Sequence, residues 1–350
     1  MTDRLYLTYR TGFPSLLFGV TLALYVSAMA GAVCNAMLCY VTLKYRCLNN
    51  TYNYLLLLTA IGDICHEISY NVPLIHQLTG NNFVGMLSCF YAQSYAVLGI
   101  AISFTAAFLI AFDRLIGVVF PFWVVPSDHS HSMSLASMSH PIYGRYQHGR
   151  KVAYIAVLVS LSLAFSSYLF YVVYLTSALH PNWPVVCMYS AMFQGEAGKI
   201  IFRSCVLFNF LTMVCYALIW VLLKRSKVIG LHTYKSMRMF QALVTIMCIV
   251  LLGWMLNAII ELAIPCFTDN GTIAWFVTRI GAFGINIASG INAPVLYLFS
   301  SDYRYAIRKE VRRLCLFSIR KISILPFSNS NNHTQSNPQQ NRNQEQETRL

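Results

Sequence analysis

Acidic residues stand inside long apolar stretches of this sequence, among them Asp63, Glu67 and Asp113. Paired carboxylates can share a proton and act as acid and base, which is how an aspartyl protease cleaves a peptide bond. The residues that flank these three do not resemble an intramembrane aspartyl protease. The sequence also has neither a His-Glu-x-x-His metal motif nor a phosphate-binding loop. We therefore expect neither an enzyme nor a protein with a bound cofactor.

Asp113 is followed directly by Arg114, so a charged pair stands at the end of one apolar stretch. Ionisable side chains are expensive inside a bilayer, and each one there is a functional-site hypothesis by default. A pair of this kind can simply anchor a helix at the membrane interface. It can also make a contact that changes when the protein changes state.

The elements that carry these residues have the composition of membrane spans. Apolar residues make up 57% of the 350 residues and charged residues only 11%, whereas soluble domains carry about a quarter charged residues. The apolar residues form long blocks, each sufficient for a helix across roughly 30 Å of hydrocarbon. The fold class is therefore an all-α membrane protein, a bundle of seven transmembrane helices. The predicted spans are 14–43, 52–78, 89–118, 153–178, 199–223, 239–265 and 273–299.

The positions of the basic residues predict the orientation of the bundle. If the N-terminus lies outside, most of the 25 Lys and Arg residues fall on the cytoplasmic side, as the positive-inside rule requires. The net charge of +13 is then explained by topology and by contact with anionic membrane lipid. Nucleic-acid binding is not indicated, because the basic residues form no single soluble patch. We expect a multi-pass protein of the plasma membrane.

Four parts follow from these patterns. After the last span, Tyr303, Ile307 and Val311 lie on one side of a predicted helix and Arg and Lys on the other, as in a helix that lies in the membrane interface. The end of the chain is rich in Asn, Gln and Ser and cannot bury a core. The predicted parts are an extracellular N-terminus (1–13), the bundle (14–300), the interfacial helix (301–315) and a disordered cytoplasmic tail (316–350).

The third span resembles that of a rhodopsin-like G-protein-coupled receptor. In that family a Cys opens the span twenty-five residues before the Arg of an Asp-Arg-Tyr motif, and a Pro follows seven residues after this Arg. Cys89, Asp113-Arg114-Leu115 and Pro121 have these spacings here. The sequences from Phe112 to Pro121 and at 301–304 (Ser-Asp-Tyr-Arg) are most similar to those of nematode serpentine chemoreceptors of the Srsx class. The resemblance covers about residues 14–315.

The resemblance implies roles for further residues. Coupling to a heterotrimeric G protein would use Asp113, Arg114, Leu115 and Pro121. The bundle core would contain Asn35, Asp63, Ser103, Ser289 and Asn292, whose oxygen atoms could hold a sodium ion near Asp63 or form a water-filled polar cluster. The activation switch would consist of Trp254, Tyr216, Pro294 and Tyr297. A disulfide would join Cys89 to Cys187, with Cys266 as a competitor.

The sequence also departs from the family pattern. Leu115 replaces the Tyr of the Asp-Arg-Tyr motif, Phe208 replaces a Pro in the fifth span, and Leu256 stands where a Pro should follow Trp254. These departures put in doubt how far the sixth helix bends and moves. Ala96 occupies the position of the Asp that binds amines in this family, so a biogenic amine is not expected as the ligand.

Polar residues in the outer halves of the spans suggest a ligand pocket above Trp254. Their charges and amides suit a small polar or zwitterionic molecule, or a peptide terminus, better than a hydrocarbon. A structural interpretation stays open, in which Arg203 and Arg279 reach lipid headgroups or Arg203 pairs with Glu261. The candidate pocket residues are Glu67, Gln93, Tyr95, Arg203, Asn257, Glu261, Arg279 and Asn286.

These patterns favour a chemosensory receptor that binds an unknown extracellular ligand and activates a heterotrimeric G protein. A neuropeptide receptor of the same fold is the first alternative. A transporter or an intramembrane enzyme is the second, although the odd number of unrelated spans lacks the repeated halves common in transporters. The C-terminal Thr348-Arg349-Leu350 matches a PDZ-domain ligand, so a PDZ-domain protein is a further partner to test.

Overall fold

The computed structural model describes residues 14–48, 51–119, 141–225 and 270–324, together with Tyr6, Tyr9 and scattered positions between 244 and 268. Within these ranges the side chains at 46, 141–151, 223–225, 271 and 314–324 are not described. Three predicted site residues, Pro121, Trp254 and Glu261, therefore lie outside the described residues. So do nearly all of 1–13 and the end of the chain from 325.

Helices form almost all of the described chain. Of these helices, α1, α4, α5, α6 and α7 are long and apolar enough to cross a membrane, so the predicted all-α membrane fold is confirmed. They correspond to spans one, three, four, five and seven. The helices are α1 (Ser15–Lys44), α2 (Thr51–Ile68), α3 (Asn71–Leu78), α4 (Met86–Val119), α5 (Pro141–Leu179), α6 (Gly195–Arg225), α7 (Gly271–Gly290), α8 (Asn292–Phe299) and α9 (Ser301–Ile324).

Span two is broken into two helices, α2 and α3, where the sequence predicted one. Pro73 lacks the N–H that would bond to the carbonyl of Ser69 and its ring crowds that turn. The backbone tightens there, because the amides of Ser69, Tyr70 and Val72 each bond to a carbonyl three residues earlier. The break turns the outer end of span two without leaving the bundle.

A second break divides span seven between α7 and α8. Pro294 removes the donor that Gly290 would otherwise receive, and the helix restarts at Asn292 after a single turn residue. Pro294 therefore has a visible structural effect at the inner end of this span. In the sixth predicted span, the described positions between 244 and 264 are helical.

Spans two and three lie backbone to backbone at one crossing. A Cβ atom added at Gly62 would lie 2.5 Å from the Gly99 carbonyl oxygen, and one added at Gly99 would lie 2.5 Å from the Gly62 oxygen. Only glycine permits so close an approach. Span three also contacts spans four and five, which makes it the central helix of the described bundle.

The outer end carries a small antiparallel sheet that the sequence did not predict. Strand β1 (Val84–Gly85) pairs with strand β2 (Pro184–Val185), with Val84 opposite Val185. A short 3₁₀-helix, Tyr189–Met192, follows β2. Val186, Met188 and Met192 are all buried, so this loop forms part of the outer core instead of extending into solvent.

Helix α9 begins at the predicted position and continues past the predicted end at 315, to Ile324. Ile319 and Ile322 flank the basic pair Arg320-Lys321 in this extension. By its internal contacts the chain separates into one compact unit, 1–307, and a second unit, 308–350. The first unit contains the bundle and the start of α9.

Candidate functional site

The inner end of span three positions the predicted charged pair. Arg114 Nη2 lies 2.5 Å and Nε 3.1 Å from the same oxygen of Asp113, Oδ2. Asp113 is 5% exposed, whereas 29% of the Arg114 side chain is exposed. Because the two residues are neighbours in sequence, this ion pair closes within one helix and connects Arg114 to no other span.

Tyrosines from other spans complete the surroundings of Arg114. Its guanidinium carbon lies 4.3 Å from the ring centroid of Tyr52, which is buried in the first turn of α2. Tyr154 of span four and Tyr216 of span five interact electrostatically with Arg114. Leu115 packs against the apolar residues of the inner half. The sequence pointed to Tyr216 but missed Tyr52 and Tyr154.

A hydrogen-bonded group ties the start of α9 to the bundle. The Tyr303 hydroxyl donates to Asn53 Oδ1 at 2.9 Å and lies 3.2 Å from Thr42 Oγ1. The Asn53 amide in turn donates to the Leu48 carbonyl at 2.7 Å. Burial raises the pKa of the Tyr303 phenol, so its hydroxyl stays protonated and keeps donating. The group fixes the inner ends of spans one and two.

The predicted polar core comes together around Asp63. Ser103 donates to Asp63 Oδ1, and Asn292 Nδ2 donates to Oδ2 at 3.0 Å. The Ser289 hydroxyl donates to the carbonyl of Ile285. The backbone carbonyl of Ser289 accepts a bond from Asn292 Nδ2. Spans two, three and seven are thereby linked. The contact with Asp63 also supports the predicted register, in which Asn292 keeps its place while Pro294 is displaced.

Asn35 does not bond to Asp63 in the structure but to the next carboxylate along span two. Its Nδ2 lies 3.3 and 3.1 Å from the two oxygens of Glu67 and 3.1 Å from the Ser289 carbonyl. Glu67 is fully buried, and a Cβ atom at Gly31 would lie 2.1 Å from its Oε1. Glu67 therefore lies between spans one and two and not in the predicted ligand pocket, because its side chain leaves α2 on the side facing span one.

A cavity of about 50 Å³ runs beside this network. Its described lining is apolar apart from a few hydroxyl, amide, carboxyl and imidazole groups, and it extends from His66 down to Tyr216. The polar residues in this lining are Thr59, Asp63, His66, Ser103, Asn209, Tyr216, Ser289 and Asn292.

The outer loop is attached to span three by the predicted disulfide, which is confirmed. Cys89 and Cys187 are bonded, with their Cα atoms 5.3 Å apart. Gln93, one turn below Cys89, donates to the carbonyls of both Cys187 and Ser69 at 3.2 Å. Gln93 therefore connects the loop, span two and span three.

Arg279 of span seven holds the loop from the opposite side. Its Nη1 lies 2.9 Å from Ser190 Oγ and 3.3 Å from Met188 Sδ. The guanidinium also lies 5.1 Å from the ring centroid of Trp275. In this way a positive charge faces the inner surface of the loop. The structural interpretation expected Arg279 to reach lipid headgroups. In the structure its side chain instead contacts Ser190 and Trp275.

The other predicted pocket residues are spread over several environments. Arg203 is exposed on α6. Asn286 is buried but donates to the Leu24 carbonyl at 3.3 Å and to Ser27 Oγ at 3.2 Å, on span one. Tyr95 packs against the outer apolar core, and Asn257 fills the space left by Gly281 of span seven. Gln93 and Arg279 both contact the outer loop, and their role in a ligand pocket stays a prediction.

Sequence reasoning missed an aromatic group under the loop. The His66 ring centroid lies 4.8 Å from that of Tyr189 and 5.7 Å from that of Tyr70. The His66 side chain is 2% exposed and also lines the cavity. One signal was available, since His66 stands three residues after Asp63 and so shares its helix face. Tyr189 could not be found this way, because the loop shows no periodicity.

The family comparison agrees with this geometry. The model for the serpentine type 7TM GPCR chemoreceptor Srsx matches residues 28–125 and 135–311, which is well over half of the chain. No curated protein matches the sequence. The matched residues include the charged pair, the polar core and both cysteines of the disulfide. This family is a receptor family and not an enzyme class. The chain is a multi-pass membrane protein that belongs to the Srsx serpentine seven-transmembrane G-protein-coupled chemoreceptors.

Proposed function

We propose that this protein is a chemosensory receptor of the plasma membrane, with its N-terminus outside, that binds an extracellular ligand in the bundle and activates a heterotrimeric G protein. The observation that carries the proposal is the Asp113–Arg114 pair at the inner end of span three, in a chain of this receptor family. Arg114 is partly exposed, so a cytoplasmic partner can reach it.

Ligand binding would act by favouring one arrangement of the spans over another. A ligand can shift such an equilibrium only through its different affinity for the two states. In the resting state Arg114 pairs with Asp113. In the active state the inner ends of spans three, five and six would separate and free the guanidinium for the G protein, with Trp254, Tyr216, Pro294 and Tyr297 as the residues that change contacts.

The contacts of Arg279 support a ligand with an anionic group, either a small carboxylate or a zwitterion. Arg279 presents its charge beneath the loop, where Ser190 and Trp275 hold it. Glu67 is turned towards span one, so it does not cancel this charge. A carboxylate could replace the neutral Ser190 hydroxyl as the acceptor and form a bidentate ion pair with the guanidinium, the arrangement in which Arg commonly binds carboxylates.

A matched pair of variants tests the ligand proposal. Arg279→Met removes the charge under the loop, while Arg203→Met removes an exposed charge from α6. A panel of small carboxylic acids and their methyl esters would be applied to cells with a G-protein-dissociation reporter. We expect the acids to act on the wild type, to lose at least tenfold in potency on Arg279→Met, and to be unchanged on Arg203→Met. Equal potency on both variants would contradict the proposal, and activity confined to peptides would favour the neuropeptide alternative.

Two further partners are proposed on narrower grounds. Asp63, Ser103 and Ser289 line one cavity, which supports sodium binding near Asp63. A rise in thermal stability with NaCl but not with choline chloride, absent in Asp63→Asn, would test it. The C-terminal Thr348-Arg349-Leu350 supports a PDZ-domain partner, which deletion of Leu350 should remove in a pull-down.

A further inference from the structure

We propose that Tyr52 clamps Arg114 in its resting position and thereby sets the basal activity of the receptor. In this arrangement the guanidinium is held between the Tyr52 ring and the Asp113 carboxylate. Tyr52 is a positioning residue, since it acts on the G protein only through Arg114. The inference rests on the proposed function, because basal activity presupposes coupling to a G protein.

The sequence leaves Arg114 without an acidic partner on the spans that would move. No Asp or Glu occurs from residue 197 to residue 260, a stretch that contains span five, the third inner loop and most of span six. The inner loop in this stretch is basic instead, with Lys and Arg at 224, 225, 227, 235 and 238. These charges would repel the guanidinium. A carboxylate from span five or from the inner part of span six therefore cannot hold Arg114.

The Tyr52 ring supplies a contact between spans that Asp113 cannot supply. Asp113 is the next residue on the same helix, so its ion pair does not connect Arg114 to a second span. The Tyr52 centroid lies 4.3 Å from the guanidinium carbon, within the roughly 6 Å over which a cation–π attraction acts. Tyr52 is 6% exposed, and this attraction is stronger where water is excluded.

The position of the ring is fixed by its neighbours. Asn53, the next residue, donates to the Leu48 carbonyl and accepts from the Tyr303 hydroxyl. Further along span two, the crossing at Gly62 and Gly99 holds spans two and three together at backbone contact. Span two therefore does not move freely against span three. The contact breaks only when the Arg114 side chain itself swings away.

Two substitutions separate the ring from the hydroxyl. Tyr52→Phe keeps the ring and so keeps the clamp, whereas Tyr52→Leu keeps an apolar side chain but removes the π face. Loss of the attraction should raise the ratio of active to resting receptor without ligand by roughly two- to thirty-fold. Tyr54→Leu is the matched control, because Tyr54 lies on the same helix but 37% of it is exposed.

The test uses the full-length protein in lipid nanodiscs and needs no ligand. Basal nucleotide exchange on purified G proteins would be measured per folded receptor for the wild type and the three variants. We expect Tyr52→Leu to exceed the wild type, and both Tyr52→Phe and Tyr54→Leu to match it. Phenylglyoxal labelling of Arg114, followed by mass spectrometry, gives a second measurement that does not depend on coupling, and it should be faster only in Tyr52→Leu.

The outcomes distinguish the inference from the function on which it rests. Faster labelling of Arg114 in Tyr52→Leu alone, with no nucleotide exchange in any form, would support the clamp and contradict G-protein coupling. Labelling at the wild-type rate in Tyr52→Leu would overturn the clamp. Labelling as fast in Tyr52→Phe as in Tyr52→Leu would also overturn it, because the hydroxyl and not the ring would then be responsible.

Discussion

At the scale of single residues, span two divides its acidic groups between different neighbours. Asp63 bonds to spans three and seven, and Glu67, one turn away, bonds to span one through Asn35. Among the described residues no Lys or Arg forms an ion pair with Glu67. The amide of Asn35 is thus the described group that compensates for burying this carboxyl.

Stability measurements on Asn35 and Glu67 test this pairing. Asn35→Leu leaves the Glu67 carboxyl without its amide donor, which should lower the free energy of unfolding by about 1–3 kcal/mol. Replacing both partners by apolar residues is much less costly than removing one. The double variant Asn35→Leu/Glu67→Met should therefore melt at a higher temperature than Asn35→Leu alone. If Asn35→Leu and Glu67→Met each lowered the free energy of unfolding, and their effects added in the double variant, the two residues would not be partners.

Motif spacing predicted some site residues well, and there are physical reasons why it failed for others. Asp63, Asn292 and Arg114 lie on faces fixed by helix geometry, so their spacing along the sequence carries their position. Glu67 was predicted in the outer pocket because depth alone was considered. The direction in which its side chain leaves α2 depends on packing against span one, and no single-helix pattern contains that. Tyr52 had no sequence signal, since its contact joins two helices.

At the scale of elements, the apolar blocks predicted the limits of α1, α4 and α6 to within a few residues. The start of α5 at Pro141, before the predicted 153, and the breaks in spans two and seven were not predicted. Each break lies within four residues before a proline, Pro73 or Pro294, and both were therefore readable from the sequence in principle. The outer sheet and the 3₁₀-helix at Tyr189–Met192 were not readable. They form because the Cys89–Cys187 disulfide and the contacts of Arg279 hold the loop against the bundle.

Two alanine substitutions in span three test the crossing of spans two and three. Gly99→Ala places a methyl group 2.5 Å from the Gly62 carbonyl oxygen, which the backbone cannot avoid without moving. Overpacking of this kind costs about 1–3 kcal/mol. Gly117→Ala in the same helix meets nothing within 4 Å and should leave the melting temperature unchanged or slightly higher. Equal melting temperatures for the two variants in nanodiscs would show that the helices do not cross here.

At the scale of the whole molecule, the account depends on orientation. The basic residues of the inner loops and of α9 belong on the cytoplasmic side by the positive-inside rule, and the disulfide belongs on the oxidising outer side. Composition predicted the class of fold, which is confirmed, and this orientation, which stays a prediction. How the spans pack could not be predicted, because side-chain contacts between distant segments determine it.

Epitope tags at the two ends test the orientation. An N-terminal tag should be stained on intact cells, and a C-terminal tag only after the membrane is permeabilised. The same cells provide the control, since permeabilisation should leave the N-terminal signal unchanged. A C-terminal tag stained on intact cells would reverse the topology and place Arg114 where no G protein could reach it.

The central claim is that ligand binding frees Arg114 to activate a G protein. The most direct test is a ligand screen in a heterologous cell with a G-protein-dissociation readout, run in parallel on the wild type and on Arg114→Ala at equal surface expression. The account predicts that compounds which trigger dissociation through the wild type still bind Arg114→Ala but trigger no dissociation through it. A full response from Arg114→Ala to the same compounds would contradict the account.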